Sequence, residues 1–229
     1  MSKLSRRLRR LNLGMRPKRS VAILTPCGDQ VHTEYCVSLS LMLLHTLAQP
    51  EINLEKLTVQ TYGCSIIPHS RNVLAAAALE LGVTHTLWID ADMGFPKDML
   101  LRFLTRDEEI IGINAMMRRP PYLNCAQAAH GTPLVTDQNS TGLEKVYRTG
   151  FGVMWVAAEV FRKVGMPLFN LEYQHDTGVF RGEDYFFCES AKKAGYEIYV
   201  DHDLSKQIQH LGTFGYNPLL KTILAEGKT

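Results

Sequence analysis

Past its first nineteen residues the chain is a succession of short apolar runs, each broken by glycine, proline or a charge. Ser20 to Leu24 is the first of these; it breaks at Thr25-Pro26 and Gly28, as a buried strand does when it opens into a loop. Val37, Leu41, Leu44 and Leu47 then recur at helical spacing and stop before Pro50, which predicts a crossover helix over 34–48. Residues 56–62 alternate as a strand, 70–81 are rich in alanine and leucine and end at Gly82, and 84–89 form a strand that halts at Asp90. The order is βαβαβ. Downstream, the pattern predicts a helix at 96–104, strands at 109–114, 153–157 and 197–200, and helices at 158–164 and 183–194. Residues 118–140, rich in Pro, Asn, Gly and Gln, read as loops with one short strand near Cys125. This is an α/β chain with a mostly parallel central sheet and helices on both faces. Ligands are expected at the carboxyl ends of its strands, where Thr25-Pro26, Tyr62-Gly63 and Asp90-Ala91-Asp92 lie.

Composition narrows the class. With 229 residues, 45% apolar and 21% charged, the chain suits a single folded domain, placed at 20–229. No stretch approaches the ~18–20 uninterrupted apolar residues of a membrane span, so no transmembrane segment is expected. The cysteines at 27, 36, 64, 125 and 188 are odd in number and never form C-x-x-C, which argues against a disulfide framework or a zinc ribbon. The leucines near the N-terminus are interleaved with arginines and make no secretory signal; a cytoplasmic location is expected.

Charge is uneven. Lys3, Arg6, Arg7, Arg9, Arg10, Arg16, Lys18 and Arg19 crowd residues 1–19, where there is no acid, and the rest of the chain is net acidic. Such an arm is expected to be flexible, and either solubilises the chain or is drawn to phosphate polyanions such as DNA or to an anionic membrane surface.

The candidate chemistry lies in four places. Asp90 and Asp92 stand two apart at a strand end; if the strand persists, its period of two points both carboxylates the same way, as a hard cation such as Mn²⁺ or Mg²⁺ requires. Asp201-His202-Asp203 imitates this pattern after another apolar run, so spacing alone does not choose between them. Position favours Asp90-Ala91-Asp92, which closes the βαβαβ half. Glu183-Asp184 opens a helix, where acids complement the macrodipole or, beside a metal-bound diphosphate, serve as a general base. His210 is a possible third metal ligand. No P-loop and no dinucleotide fingerprint is present; Gly150-Phe151-Gly152 starts one, but Trp155 stands at the third glycine's place.

Taken in order, several segments resemble the GT-A glycosyltransferases, in particular inverting family 2-like enzymes and short phage-encoded ones. They are Val21 to Pro26, Ser70-Arg71-Asn72, Leu87 to Met93, Gly150 to Met154, Gly182 to Phe187, Gly195-Tyr196 and His210-Leu211-Gly212. The resemblance implies a Rossmann-like GT-A domain that moves a sugar from a nucleotide-diphosphate sugar, UDP foremost, onto a hydroxyl. It implies that Thr25 and Pro26 sit against the nucleobase and that Arg71 and Asn72 face the base or diphosphate. Asp90 would contact ribose or sugar, itself a candidate metal contact, while Asp92 and His210 hold the metal. Gly150 and Gly152 would floor the donor sugar, Asp184 would be the base, and Glu183 its fallback. Joined to the basic arm, the resemblance makes a hydroxylated pyrimidine in DNA the leading acceptor expectation, flipped from its stack. The alternatives are a glycan- or lipid-linked acceptor, a sugar nucleotidyltransferase, and a DNA-binding module without catalysis. A nucleotidyltransferase would need a basic glycine-rich loop after the first strand, which Thr25 to Asp29 does not offer.

Overall fold

The structure is a computed structural model that describes residues 18–49, 52–118 and 122–213. Its elements run β1 (Arg19–Cys27), α1 (Thr33–Leu47), β2 (Leu54–Gly63), α2 (Ile67–Glu80), β3 (His85–Ile89), β4 (Met93–Gly94), α3 (Met99–Leu104) and β5 (Ile110–Gly112). They continue as β6 (Gln127–Ala129), β7 (Thr132–Pro133), β8 (Leu143–Val146), β9 (Val153–Ala157), α4 (Ala158–Val164), β10 (Glu172–Gln174), β11 (Val179–Arg181), α5 (Glu183–Lys193), β12 (Ile198–Asp201), α6 (His202–Ser205) and β13 (Gln209–His210).

Seven strands form the central sheet, in the order β2-β1-β3-β9-β5-β12-β8. β2, β1, β3, β5 and β12 point the same way; β9 and the edge strand β8 run against them. The expected mostly parallel α/β sheet is therefore present. Its inner strands are almost fully buried and mostly apolar because both faces are covered, while the edge strands β2 and β8 keep exposed polar residues. Period two sends Ala22, Leu24, Trp88, Met154 and Val156 to one face, against Leu74 and Ala78 of α2, Phe161 of α4 and Phe187 of α5. Val21, Ile23, Leu87, Ile89, Val153 and Trp155 go to the other, against Met42 of α1 and Phe103 of α3.

The structure corrects the sequence expectation in three places. Arg19, assigned to the arm, begins β1, donates to the carbonyls of Phe103 and Arg106, and lies over the Trp155 ring. Residues 1–17, the rest of the arm, lie outside the described residues. Helix α1 forms where expected, but the stripe that predicted it faces solvent: Val37, Leu41, Leu44 and Leu47 are exposed, and Tyr35, Met42 and Thr46 are buried. The loop region holds more order than expected, with the hairpin β6–β7 and the edge strand β8. No helix among the described residues is long and apolar enough to cross a membrane.

Candidate active site

At the carboxyl end of β3 the strand does not persist. The Asp90 amide donates to Gly152 O at 2.9 Å and the Met93 amide to Asp90 O at 3.1 Å, so residues 90–93 form a tight turn. The period-two expectation fails there, and the two carboxylates part company. Asp90 turns to Arg71, which meets both its oxygens through Nη2 at 3.0 and 3.2 Å. Asp92 turns to His210 and Arg118. Asp90 is thus a partner of Arg71, with both oxygens facing the guanidinium.

What carries His210 to Asp92 is a ladder too short to leave a sequence pattern. Met93-Gly94 pairs antiparallel with Gln209-His210, and the Leu211 amide donates to Asp92 O at 2.8 Å. His210 Nδ1 lies 2.9 Å from Met116 O, and a carbonyl only accepts, so Nδ1 carries the proton. In the neutral ring that leaves the Nε2 lone pair facing Asp92 Oδ2 at 3.5 Å. Two acceptors face each other, which is stable only with a proton or a metal cation between them. The same pairing raises the His210 pKa, chiefly through its hydrogen bond to Asp92. Burial works to raise the Asp92 pKa, but His210 and Arg118 outweigh it and hold it below the usual carboxylate value. An oxygen and an imidazole nitrogen, the latter oriented by a backbone carbonyl, suit Mn²⁺ better than the strictly oxygen-seeking Mg²⁺, with further ligands from a bound diphosphate.

Arg71, in the second turn of α2, is the hub behind this edge. It is 3% exposed, lies 4.9 Å over the Phe151 ring, and reaches Glu183 Oε1 through Nε at 3.4 Å. Its Nη1 has no hydrogen-bond partner among the described residues. Burial raises the Asp90 pKa, with Arg71 opposing and Asp92 and Glu183 adding to the rise. Asp184, in the first turn of α5, accepts the Tyr185 amide at 2.7 Å. Burial, then the neighbouring Glu183 charge, pushes its pKa up to about 6. That value leaves it ionised at neutral pH and basic enough to take a proton. A side chain on Gly150 would start 3.7 Å from Asp184 Oδ2 and 3.2 Å from Cys125 Sγ, so the glycine keeps the space before Asp184 open. Gly152 differs: a Cβ there would fall 2.2 Å from Met93 Cε, so this glycine lets β9 pack against the turn.

Three other candidates have structural partners within the protein. Asn72 donates to Pro68 O and Phe169 O and accepts the Leu168 and Phe169 amides, which saturates it as a brace for the 168–169 loop. Thr25 is fully buried and hydrogen-bonded to Tyr35, and Pro26 is buried beside it. Both side chains pack into the core at the end of β1. Arg118, which the sequence did not single out, pairs with Asp92 Oδ2 at 2.9 Å and donates to Leu211 O at 2.6 Å. It sits in the segment read as featureless loop, and no spacing ties it to Asp92.

No protein-family model matches the sequence, and no curated protein matches it. Solved structures do. The chain superposes on GalNAc-T7 with UDP, GalNAc and Mn²⁺ with a TM-score of 0.54 at 9% identity, over 89% of this chain and 46% of that one. It therefore spans less than half the length of that protein. A197 from STIV gives 0.49 at 12% identity, over 86% of this chain and 99% of that one. A glycosyltransferase involved in glycosylation of the major capsid of PBCV-1 gives 0.32 at 11% identity, over 63% and 65%. The GalNAc-T7 superposition shows a GT-A-like glycosyltransferase fold.

Proposed function

We propose that this chain transfers a sugar from a nucleotide-diphosphate sugar to an acceptor hydroxyl, by a single inverting displacement assisted by a divalent ion. The observation that carries this is the pairing of Asp92 Oδ2 with His210 Nε2, 3.5 Å apart, at the carboxyl end of a central strand. A structural neighbour that holds UDP and Mn²⁺ supports UDP as the nucleotide and Mn²⁺ as the ion. A bound divalent cation supplies positive charge against the departing diphosphate. Asp92 and His210 hold it, and Arg71 fixes the turn that presents Asp92 by clamping Asp90. Arg71 Nη1, buried and unpartnered, is a donor for an oxygen of the sugar or diphosphate.

Asp184 takes the proton of the acceptor hydroxyl as that oxygen attacks the anomeric carbon, and the nucleoside diphosphate leaves from the opposite face. Glu183 is held by Arg71, which leaves the base role to Asp184. The acceptor in this reading is a hydroxylated pyrimidine in DNA, with a glycan acceptor as the alternative. A cytoplasmic location accords with cysteines that are all free.

The test is to follow nucleotide release and melting temperature with Mn²⁺ and a panel of nucleotide sugars. UDP-sugar with Mn²⁺ is expected to raise the wild-type melting temperature by several degrees and leave Asp92→Asn unmoved. Equal stabilisation of that variant, or none of the wild type by any donor, overturns the proposal.

A further inference from the structure

Arg118 already occupies the place of a cation at Asp92. Its Nη2 lies 2.9 Å from Oδ2, the same oxygen that faces His210 Nε2 at 3.5 Å. A divalent ion between that oxygen and that nitrogen would sit at about 2.0–2.2 Å from each, bringing it close to the guanidinium. Two positive charges at that distance repel strongly, and half of the Arg118 side chain is already in solvent. Arg118 must therefore leave Asp92 when the ion arrives.

It does not leave the neighbourhood. Nη1 donates to Leu211 O at 2.6 Å, and the Arg118 stem lies against Gly212, where a Cβ would meet its Cδ at 3.1 Å. Leu211 is in turn tied to the Asp92 carbonyl, so the pivot of the arginine and the carboxylate it abandons are fixed to each other. The strongest anion then within its reach is a diphosphate bound to the same ion. A guanidinium presents paired N–H groups that match two phosphoryl oxygens.

We infer that Arg118 is an exchange residue: it neutralises Asp92 while the site is empty, and transfers to the donor diphosphate once ion and donor are bound. This rests on the glycosyltransferase proposal. Its consequence is a split in sign. Arg118 opposes binding of the bare ion and favours binding of ion plus nucleotide.

Calorimetric titration of Mn²⁺ alone, and then of UDP in saturating Mn²⁺, reads both halves. Arg118→Gln is expected to bind Mn²⁺ about 5–10-fold more tightly than wild type, and UDP about tenfold or more weakly. Arg118→Lys, which keeps the charge but not the fork, should leave Mn²⁺ affinity near wild type and still weaken UDP; it also serves if the glutamine variant fails to fold. If Arg118→Gln weakens both ligands, or leaves Mn²⁺ affinity unchanged, Arg118 merely holds the pocket together and the exchange is wrong. If neither wild type nor variant binds Mn²⁺ or UDP, the glycosyltransferase proposal itself falls.

Discussion

Asp90-Ala91-Asp92 and Asp201-His202-Asp203 are the same pattern at the carboxyl ends of two parallel strands, yet the fold uses them in opposite ways. In the second, every polar side chain is committed to structure. Asp201 is buried, pairs with Arg106 and caps α6 by accepting the Leu204 amide. His202 is held between Thr136 and Glu144, and Asp203 accepts from Thr141, the Gly142 amide and Lys206. In the first, Asp90 is braced by a buried arginine, while one oxygen of Asp92 is shared between the half-exposed Arg118 and His210 Nε2. A D-x-D spacing thus says little by itself; what separates the two is that the partners of Asp92, Arg118 and His210, come from loop and short-strand segments at the sheet's carboxyl edge, while those of Asp201 and His202 close a buried network.

The sharpest way to break this comparison is to neutralise the outer carboxylate of each. Asp92→Asn is expected to cut transfer by about 10³-fold or more with the fold intact, measured as kcat/KM beside a melting curve. Asp184, outside both motifs, comes next: Asp184→Asn should lower kcat by about 10²–10⁴-fold. The same change should stabilise the protein at pH 7.5 by about 1–3 kcal/mol. The sign follows from the pKa, which is raised from 3.8 to about 6. The folded protein holds this proton more tightly than the unfolded chain, so the group favours folding at low pH and that contribution is lost as pH rises through about 6. In the wild type, activity should run the other way, with kcat/KM falling about tenfold per unit below pH 6, because the protonated carboxyl accepts nothing.

Asp201→Asn should invert the pattern of Asp92→Asn. It should cost about 2–3 kcal/mol in denaturant unfolding through the lost ion pair and weakened cap, while kcat per folded molecule stays within about twofold. The smallest effect is expected at Asp203→Asn, at most about 1 kcal/mol with transfer unchanged, since that carboxylate is half in solvent. Loss of transfer in either of these two variants while the fold stands would erase the distinction.

Much of the frame was legible from the chain because buried strands leave continuous apolar runs. Val153 to Ala157 and Ala158 to Val164 fall where the pattern puts them. The face of α1 was not legible, because the helix is apolar almost all round. Val37, Leu41 and Leu44 form one stripe and Tyr35, Leu39, Met42 and Thr46 another with the same spacing, and periodicity cannot say which meets the sheet. The hairpin β10–β11, which leads into Glu183-Asp184 and exposes Tyr173 and Phe180, was missed because three-residue strands carry no period. In the site, Asp92, His210, Arg71 and Asp184 were reachable from the ordered motifs. Arg118 and the Met116 carbonyl were not, since they reach Asp92 and His210 through loop backbone that no side-chain pattern encodes. The bracing of the 168–169 loop by Asn72 was not legible either, since an amide beside an arginine reads alike whether it binds a ligand or holds a loop.

The reversed strand β9 has a consequence for how the protein is made. It lies between β3 and β5, pairing with both, so the two parallel groups of the sheet never touch each other without it. As synthesis proceeds, both of those edges, mostly apolar, stay open until residues 153–157 leave the ribosome. The nascent chain therefore carries its aspartates long before it has a site, and a fragment that ends short of Ala157 should aggregate instead of yielding a donor-binding half.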